Sequence, residues 1–332
     1  MQPLVAINCI AYNQEKYIRE TLEGFIMQKT DFPFVAVVHD DASTDHTADI
    51  IREYAEQFPN IIKPIFETEN QYSKPGKPLG KIMLNAINET GAEFVAYCEG
   101  DDYWIDNLKL QKQVDFLKSH PDYSLCCSNA DEFIQNENRL KIPSFKPYGT
   151  FGLEHIICQN DIYTCSVLIR RDLLNIYYSD VIPKFPSLSF GDYPLWLHMA
   201  TLGKCQRLKD TMSIYRICNS GVSNIKGAPW MHSRLTVLDF FTNNYNIDKT
   251  AKERAQFNFF RIWAYFATTQ KDVTVYQRAI QYYDDNGYFW TKLFLKLAWR
   301  FPRGKRLWSF LNAHNHIKPK STDSFGPYIT ND

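Results

Sequence analysis

The sequence lacks most of the devices by which a chain declares its cofactor or compartment. Neither GxGxxG nor GxxxxGK[ST] occurs, which argues against a dinucleotide oxidoreductase and against a P-loop kinase or ATPase. No CxxC pair is present. The eight cysteines, at 9, 98, 126, 127, 158, 165, 205 and 218, show no zinc-like double spacing and fall in apolar runs, so they read as reduced, buried thiols of a cytoplasmic protein. No apolar run reaches the about 18 residues of a membrane span. The opening MQPLVAINCI enters a strand without a basic leader, so neither a signal-directed nor an integral protein is expected. Net charge is zero, from 37 basic and 37 acidic residues. That balance hides an asymmetry, because residues 286–322 hold eight Lys or Arg and no Asp or Glu. A nucleic-acid binder would carry basic residues over its main fold as well, so nucleic acid is not an expected partner.

What is present is an alternation of short Val/Ile/Phe-rich runs with longer amphipathic stretches, the pattern of βαβ units. Strands are expected at 4–10, 34–39, 62–66 and 94–98, and helices at 15–28, 47–58, 79–90 and 108–119. Thr44-Asp45 before Thr47 offers capping chemistry for the second helix. From about 123 to 217 the pattern is mixed, with strands at 124–128, 164–170 and 213–217 and a helix at 193–201. Beyond about 230 it is helical throughout, with helix cores at 235–241, 255–268 and 275–283.

In open α/β sheets, ligands bind beyond the carboxyl ends of the strands, so the polar residues after each apolar run carry the interest. Three such ends are unusual: Ala11-Tyr12-Asn13, Asp40-Asp41-Ala42-Ser43-Thr44-Asp45 and Glu99-Gly100-Asp101-Asp102. Carboxylates crowded into one loop repel one another and lose solvation on burial unless a cation or hydrogen-bond donors compensate. Oxygen-only ligands suit Mg²⁺ or Mn²⁺, and Mg²⁺ takes one or two carboxylates together with substrate phosphates. Taken alone, Glu-Gly-Asp-Asp reads equally as a solvated turn capping the next helix. A second acidic strand end in the same sheet favours the ligand site.

VAINCIAYNQEKYIRETLEGFIMQKTDFPFVAVVHDDASTDHTADII, followed by FVAYCEGDDYWIDNLKLQKQVDFL, resembles the donor-binding half of family 2 glycosyltransferases of GT-A fold. SFGDYPLWLHMATLGK and MSIYRICNSGVS resemble the family's acceptor-side segments, in the expected order. The resemblance covers about residues 3–225. It implies a mostly parallel, Rossmann-like α/β sheet flanked by helices, with an α-helical C-terminal extension. It also implies that Tyr12 and Asn13 lie beside the nucleotide base, that Asp41 contacts the base, and that Asp40 orders the same loop. Asp101 matches the metal-binding acid of the DxD motif, with Glu99 at its first position and Asp102 following, all three on donor or metal. Asp192 matches the catalytic base, although Gly191 stands where an acid is frequent. Arg216 matches a donor-phosphate contact, although Cys218 stands where a histidine is frequent. As a plain reading of the residues, Asp192 is an N-cap of the following helix.

The implied organisation is a catalytic domain over 1–225, divided at 122/123 into nucleotide-sugar and acceptor halves, and a helical region over 226–332. The implied reaction is an inverting, metal-dependent transfer of one sugar from a nucleotide-diphosphate sugar, a UDP-sugar in the first instance, to a glycan or lipid-linked acceptor in cell-surface polysaccharide synthesis. A processive synthase is disfavoured because the QxxRW motif is missing. A fold-retaining, inactive nucleotide-sugar-binding module is the alternative. In the tail, Lys292, Lys296 and Arg300 recur on one side of a helix over 290–301, with Leu293, Phe294, Leu297 and Phe301 on the other. Arg303-Gly304-Lys305-Arg306-Leu307-Trp308 follows Pro302. Residues 289–311 are thus expected either to lie on an anionic membrane at the inner face of the cell or to pack on the domain. The aromatic-rich helices also offer a surface for a homodimer.

Overall fold

The computed structural model describes residues 2–74, 76, 78–143, 147–185, 187–218 and 228–300. In chain order the strands are β1 Val5–Ala11, β2 Phe34–Asp40, β3 Ile62–Phe66, β4 Phe94–Tyr97, β5 Tyr103–Trp104, β6 Tyr123–Ile134, β7 Arg139–Lys141, β8 Gly149–Phe151, β9 Leu168–Arg170 and β10 Lys204–Ile217. The helices are α1 Ile18–Ile26, α2 Thr47–Gln57, α3 Leu79–Thr90, α4 Lys109–Ser119, α5 Leu153–Cys158, α6 Arg171–Ile176, α7 Asp192–Leu202, α8 Ala228–Asn244, α9 Lys249–Gln270, α10 Val273–Asp285 and α11 Phe289–Arg300.

One sheet runs in the order β3-β2-β1-β4-β9-β6-β10-β5, with β7 on β6 and β8 on β10. The first four strands are parallel, as βαβ patterning predicts. Parallel pairing returns between β6 and β10, but β9 enters antiparallel between β4 and β6. Periodicity reports which face of a strand is buried, not the direction of its neighbour. β10 is also much longer than residues 213–217, since its polar Gln206–Asp210 stretch and register shifts against β6 conceal it in the sequence.

Alternation along β1 divides the core. Val5, Ile7, Cys9 and Ala11 point to a layer containing Ile18, Leu22 and Phe25 of α1, Ile51 of α2 and Leu110, Val114 and Leu117 of α4. Ala6 faces the opposite layer, where α3, α5, α7 and the C-terminal helices share one continuous apolar cluster. The helical region is therefore built onto the sheet rather than appended to it. Among the described residues the cysteines are free thiols, and no helix is long and apolar enough to cross a membrane.

Local expectations are adjusted in two places. Helix α1 starts at Ile18 rather than 15, because Gln14 closes a turn through its carbonyl to Tyr17 and Ile18 N–H. In α11, Leu295 and Ala298 are buried while Phe289, Trp290, Leu293, Lys296 and Arg300 are exposed, so Leu293 lies on the outer face with the basic residues. Lys292 is instead ion-paired with Asp284. Phe301 and the basic segment 303–308 lie outside the described residues.

Candidate active site

The carboxyl ends of β1, β2 and β4 are adjacent, because β1 pairs with both of the others. Tyr12, 46% exposed, stands at the mouth. Asn13 adopts a left-handed φ of 52°, which asparagine tolerates better than most residues, and its Oδ1 accepts the Thr44 N–H at 2.8 Å. Ser43 Oγ accepts the Asn13 N–H at 2.9 Å, and Asp45 Oδ2 accepts that of Glu15 at 3.1 Å. Asp45 also accepts the Thr47 N–H at 3.0 Å, so the expected capping chemistry at α2 comes from this residue. The first two strand ends are thereby laced into one rigid platform.

Within it, Asp41 is almost completely buried and both its oxygens are engaged, by Gln71 N–H at 2.6 Å and Tyr72 N–H at 3.0 Å. Its carboxylate fixes the segment after β3. Asp40 Oδ2 accepts the Ser43 N–H at 3.2 Å, whereas Oδ1 is buried without a partner. The free acceptor in this pair thus belongs to Asp40, the residue that the motif reading assigned to loop ordering.

The loop after β4 is compensated differently. A side chain at Gly100 would bring Cβ to 2.3 Å from Gln14 Oε1 and 2.9 Å from Ala11 Cβ, so only glycine lets the loop lie against the end of β1. Thr21 Oγ1 holds the Gly100 and Asp102 carbonyls at 3.0 and 2.7 Å. Glu99 Oε2 is buried with no partner. Burial, then the neighbouring Asp101, push the Glu99 carboxyl up to about 8, and the Asp192 charge adds to this. Burial also raises Asp101, against the opposing pull of its own backbone amide and Arg216.

Asp102, expected with Glu99 and Asp101 in the metal set, also ties the loop to the sheet. Its Oδ1 accepts the Arg216 N–H at 2.7 Å, which joins the loop to the end of β10. Arg216, expected on donor phosphate, directs its donors to protein: Nε to the Asp101 carbonyl at 2.8 Å, Nη1 to Gln135 Oε1 at 2.6 Å and Nη2 to Glu20. With its guanidinium among the Tyr17, Tyr103 and Phe133 rings, it is a buried clasp on the acidic loop.

Asp192 is the first residue of α7; the N-cap position belongs to Gly191, so the plain capping role is not the one it fills. Burial raises its carboxyl, while the Tyr193 N–H and then Arg234 draw it down. Its charge adds to the raised proton affinity of Glu99 and of Tyr72, whose hydroxyl donates to the Ser189 carbonyl of the same segment at 3.4 Å. Tyr72 and Arg234 carry no motif signal in the sequence; only the fold brings them to Asp192.

A divalent cation suits this donor set in kind. Glu99 and Asp101 offer carboxylate oxygens whose shared repulsion and burial a cation would relieve. Among the described residues no group of three His, Cys, Asp or Glu side chains is arranged to hold a metal unaided. Such a site leaves the remaining coordination to substrate oxygens and water, the usual arrangement for Mg²⁺.

Comparison with known proteins places the chain. The model of "Glycosyl transferase family 2" matches residues 7–175. An uncharacterised protein of Mycobacterium tuberculosis is 35% identical over 215 residues, 64% of this chain and 58% of that protein, so the match spans less than two thirds of this relative. The poly(ribitol-phosphate) beta-N-acetylglucosaminyltransferase TarS of Staphylococcus aureus is 36% identical over 112 residues, 33% of this chain and 18% of that one. Among solved structures, S. aureus TarS 1-349 in complex with UDP-GlcNAc aligns with a TM-score of 0.67 at 19% identity, over 94% of this chain and 92% of that one. The mannosyltransferase PcManGT of Pyrobaculum calidifontis, in complex with GDP-Man and Mn²⁺, aligns with a TM-score of 0.56 at 16% identity, over 97% and 89%. With the mixed sheet, its flanking helices and the family match over half its length, the chain belongs to glycosyl transferase family 2 and has the GT-A fold.

Proposed function

We propose that this glycosyltransferase moves one sugar from a nucleotide-diphosphate donor, a UDP-sugar, to a hydroxyl of a glycan or lipid-linked acceptor with inversion, in the synthesis of a cell-surface polymer. The observation that carries this reading is the placement of Asp192 beside an acidic loop whose charge the protein leaves under-compensated. Residues 1–122 supply the donor side, with Tyr12, Asn13 and the free oxygen of Asp40 facing the nucleotide. Residues 123–225 supply the acceptor side.

In the reaction, the acceptor oxygen bonds to the anomeric carbon as the bond to the diphosphate breaks, and the hydroxyl proton passes to the Asp192 carboxylate. Its buried setting keeps that carboxylate more basic than an exposed one. Glu99 and Asp101 would hold Mg²⁺ or Mn²⁺, which when bound supplies positive charge to the departing diphosphate. Arg216 keeps the loop in place through the Asp101 carbonyl and the Asp102 carboxylate. The names of the relatives support the donor class: TarS is described with UDP-GlcNAc, and PcManGT with a nucleotide sugar and Mn²⁺. A thermal-shift or calorimetric screen of nucleotide sugars with and without Mn²⁺ is the test. The expected result is Mn²⁺-dependent binding of one nucleotide class; indifference to every nucleotide sugar would remove the reading.

The outer face of α11 extends the proposal to the cell membrane. Phe289 and Trp290 are 64% and 66% exposed, Leu293 lies beside them, and Lys296 and Arg300 continue the stripe. Apolar rings beside exposed basic residues suit the interface of an anionic bilayer, where each basic residue contributes on the order of 1 kcal/mol. Full-length protein is expected to sediment with phosphatidylglycerol vesicles at low salt, and the Trp290→Ala, Lys296→Glu double variant is not. Equal sedimentation of both, or self-association through this face instead, would exclude lipid.

A further inference from the structure

Helix α8 lies beyond the family match, yet one face of it touches the segment that carries Asp192 at Ser189, Phe190 and Tyr193. Trp230, Ser233 and Arg234 stand at i, i+3 and i+4 and so share that face. Ser233 Oγ accepts the Ser189 N–H at 3.0 Å and lies 3.2 Å from Ser189 Oγ. Trp230 packs on Phe190 with ring centroids 4.8 Å apart. Arg234 lays its guanidinium over the Tyr193 ring at 4.0 Å. Three contacts from one helix thus flank Asp192 on both sides, at residues 189, 190 and 193.

The segment needs such support. A Cβ built on Gly191 would meet nothing within 4 Å, so no packing at that position fixes the approach to Asp192. Beside these contacts, Tyr177 OH donates to the Gly191 carbonyl at 3.2 Å and Tyr72 OH to that of Ser189 at 3.4 Å, each a single hydrogen bond. Arg234 also differs from the other cations near the site. Arg216 is consumed by Glu20, Gln135 and the Asp101 carbonyl, whereas among the described residues Arg234 makes no hydrogen bond or ion pair and is held by its stacking alone. Its charge therefore remains available to Asp192, whose carboxyl it draws down against the effect of burial.

We propose that α8 is a working part of the reaction centre, its Trp230–Ser233–Arg234 face holding residues 189–193 so that Asp192 meets the acceptor hydroxyl, with Arg234 as the positioning residue. This rests on the reading of Asp192 as the base. The C-terminal helices then act on the chemistry and not merely as cover for the sheet.

The test uses the full-length chain and two readouts. In hydrogen exchange, Ser233→Ala and Arg234→Ala are expected to speed exchange across residues 187–195 while β1, β2 and β4 keep their protection. In nucleoside diphosphate release, assayed with UDP-GlcNAc and the other nucleotide sugars of the donor screen, Arg234→Ala should lower kcat by about tenfold to a hundredfold, the scale of a small misplacement of a catalytic group, with donor KM unchanged. Arg234→Lys should recover part of that loss. Unchanged protection at 187–195, or a kcat loss that only follows the fraction of folded protein, would overturn the proposal. If wild-type chain turns over no nucleotide sugar, the Asp192 reading fails, and the exchange readout still decides whether α8 holds the segment.

Discussion

The two acidic strand ends have similar composition but hold their carboxylates differently. After β2, Asp41 accepts two backbone N–H groups and Asp45 two more, which knits the loop together although Asp40 keeps one buried oxygen without a partner. After β4, Glu99 keeps a buried oxygen without a partner, and its neighbours raise its proton affinity further. A carboxylate that collects amide donors builds a loop; one denied them in a buried place is poised for a cation. Arg216 marks the boundary, since it serves Asp102 and the Asp101 carbonyl but leaves Glu99 Oε2 without a donor.

The largest expected effect lies where the open end meets Asp192. Asp192→Asn should cut transfer by about 10²–10⁴-fold, the usual share of a general base, with the donor Kd unchanged by calorimetry. Wild-type turnover would assign the base elsewhere. The next effect separates the two loops directly. Asp101→Asn should abolish the Mn²⁺-dependent part of donor binding and leave Tm unharmed or raised, because it removes repulsion. Asp41→Asn should lower stability by about 1–3 kcal/mol through its buried amides, with the Mn²⁺ response retained. If the two variants behave alike, the contrast between the loops is void.

The smallest effect sharpens the contrast through pH. A carboxyl whose folded pKa is raised binds its proton more tightly in the folded chain. The stability that Glu99 contributes is therefore full below about 4.5 and is lost as pH rises through about 8. Metal-free Tm should fall across that window, and Glu99→Gln or added Mn²⁺ should flatten the slope. A metal-free wild type with the same slope as Glu99→Gln would show that the buried oxygen finds compensation in solution.

Much of this was legible beforehand. Strand β3 and helix α3 have the bounds read from the sequence, and α3 is a regular amphipathic element that ends at the left-handed Gly91. The antiparallel placement of β9 and the length of β10 were not legible, since their partners are distant in sequence. At the site, the motif located the acidic loop, yet the accounting of each oxygen ran otherwise: Asp40 rather than Asp41 keeps a free acceptor, and Asp102 and Arg216 serve each other.

The sequence by itself determined that acids would follow apolar strands and that Asp192 would begin a helix, because both depend on local pattern. Only the tertiary structure decided which of those carboxylates are satisfied, and that a C-terminal helix supplies Arg234 beside Asp192. The reason is that hydrogen-bond partners and charge neighbours are set by distance in space: Asp41 and Gln71 stand 30 positions apart along the chain, Asp102 and Arg216 114.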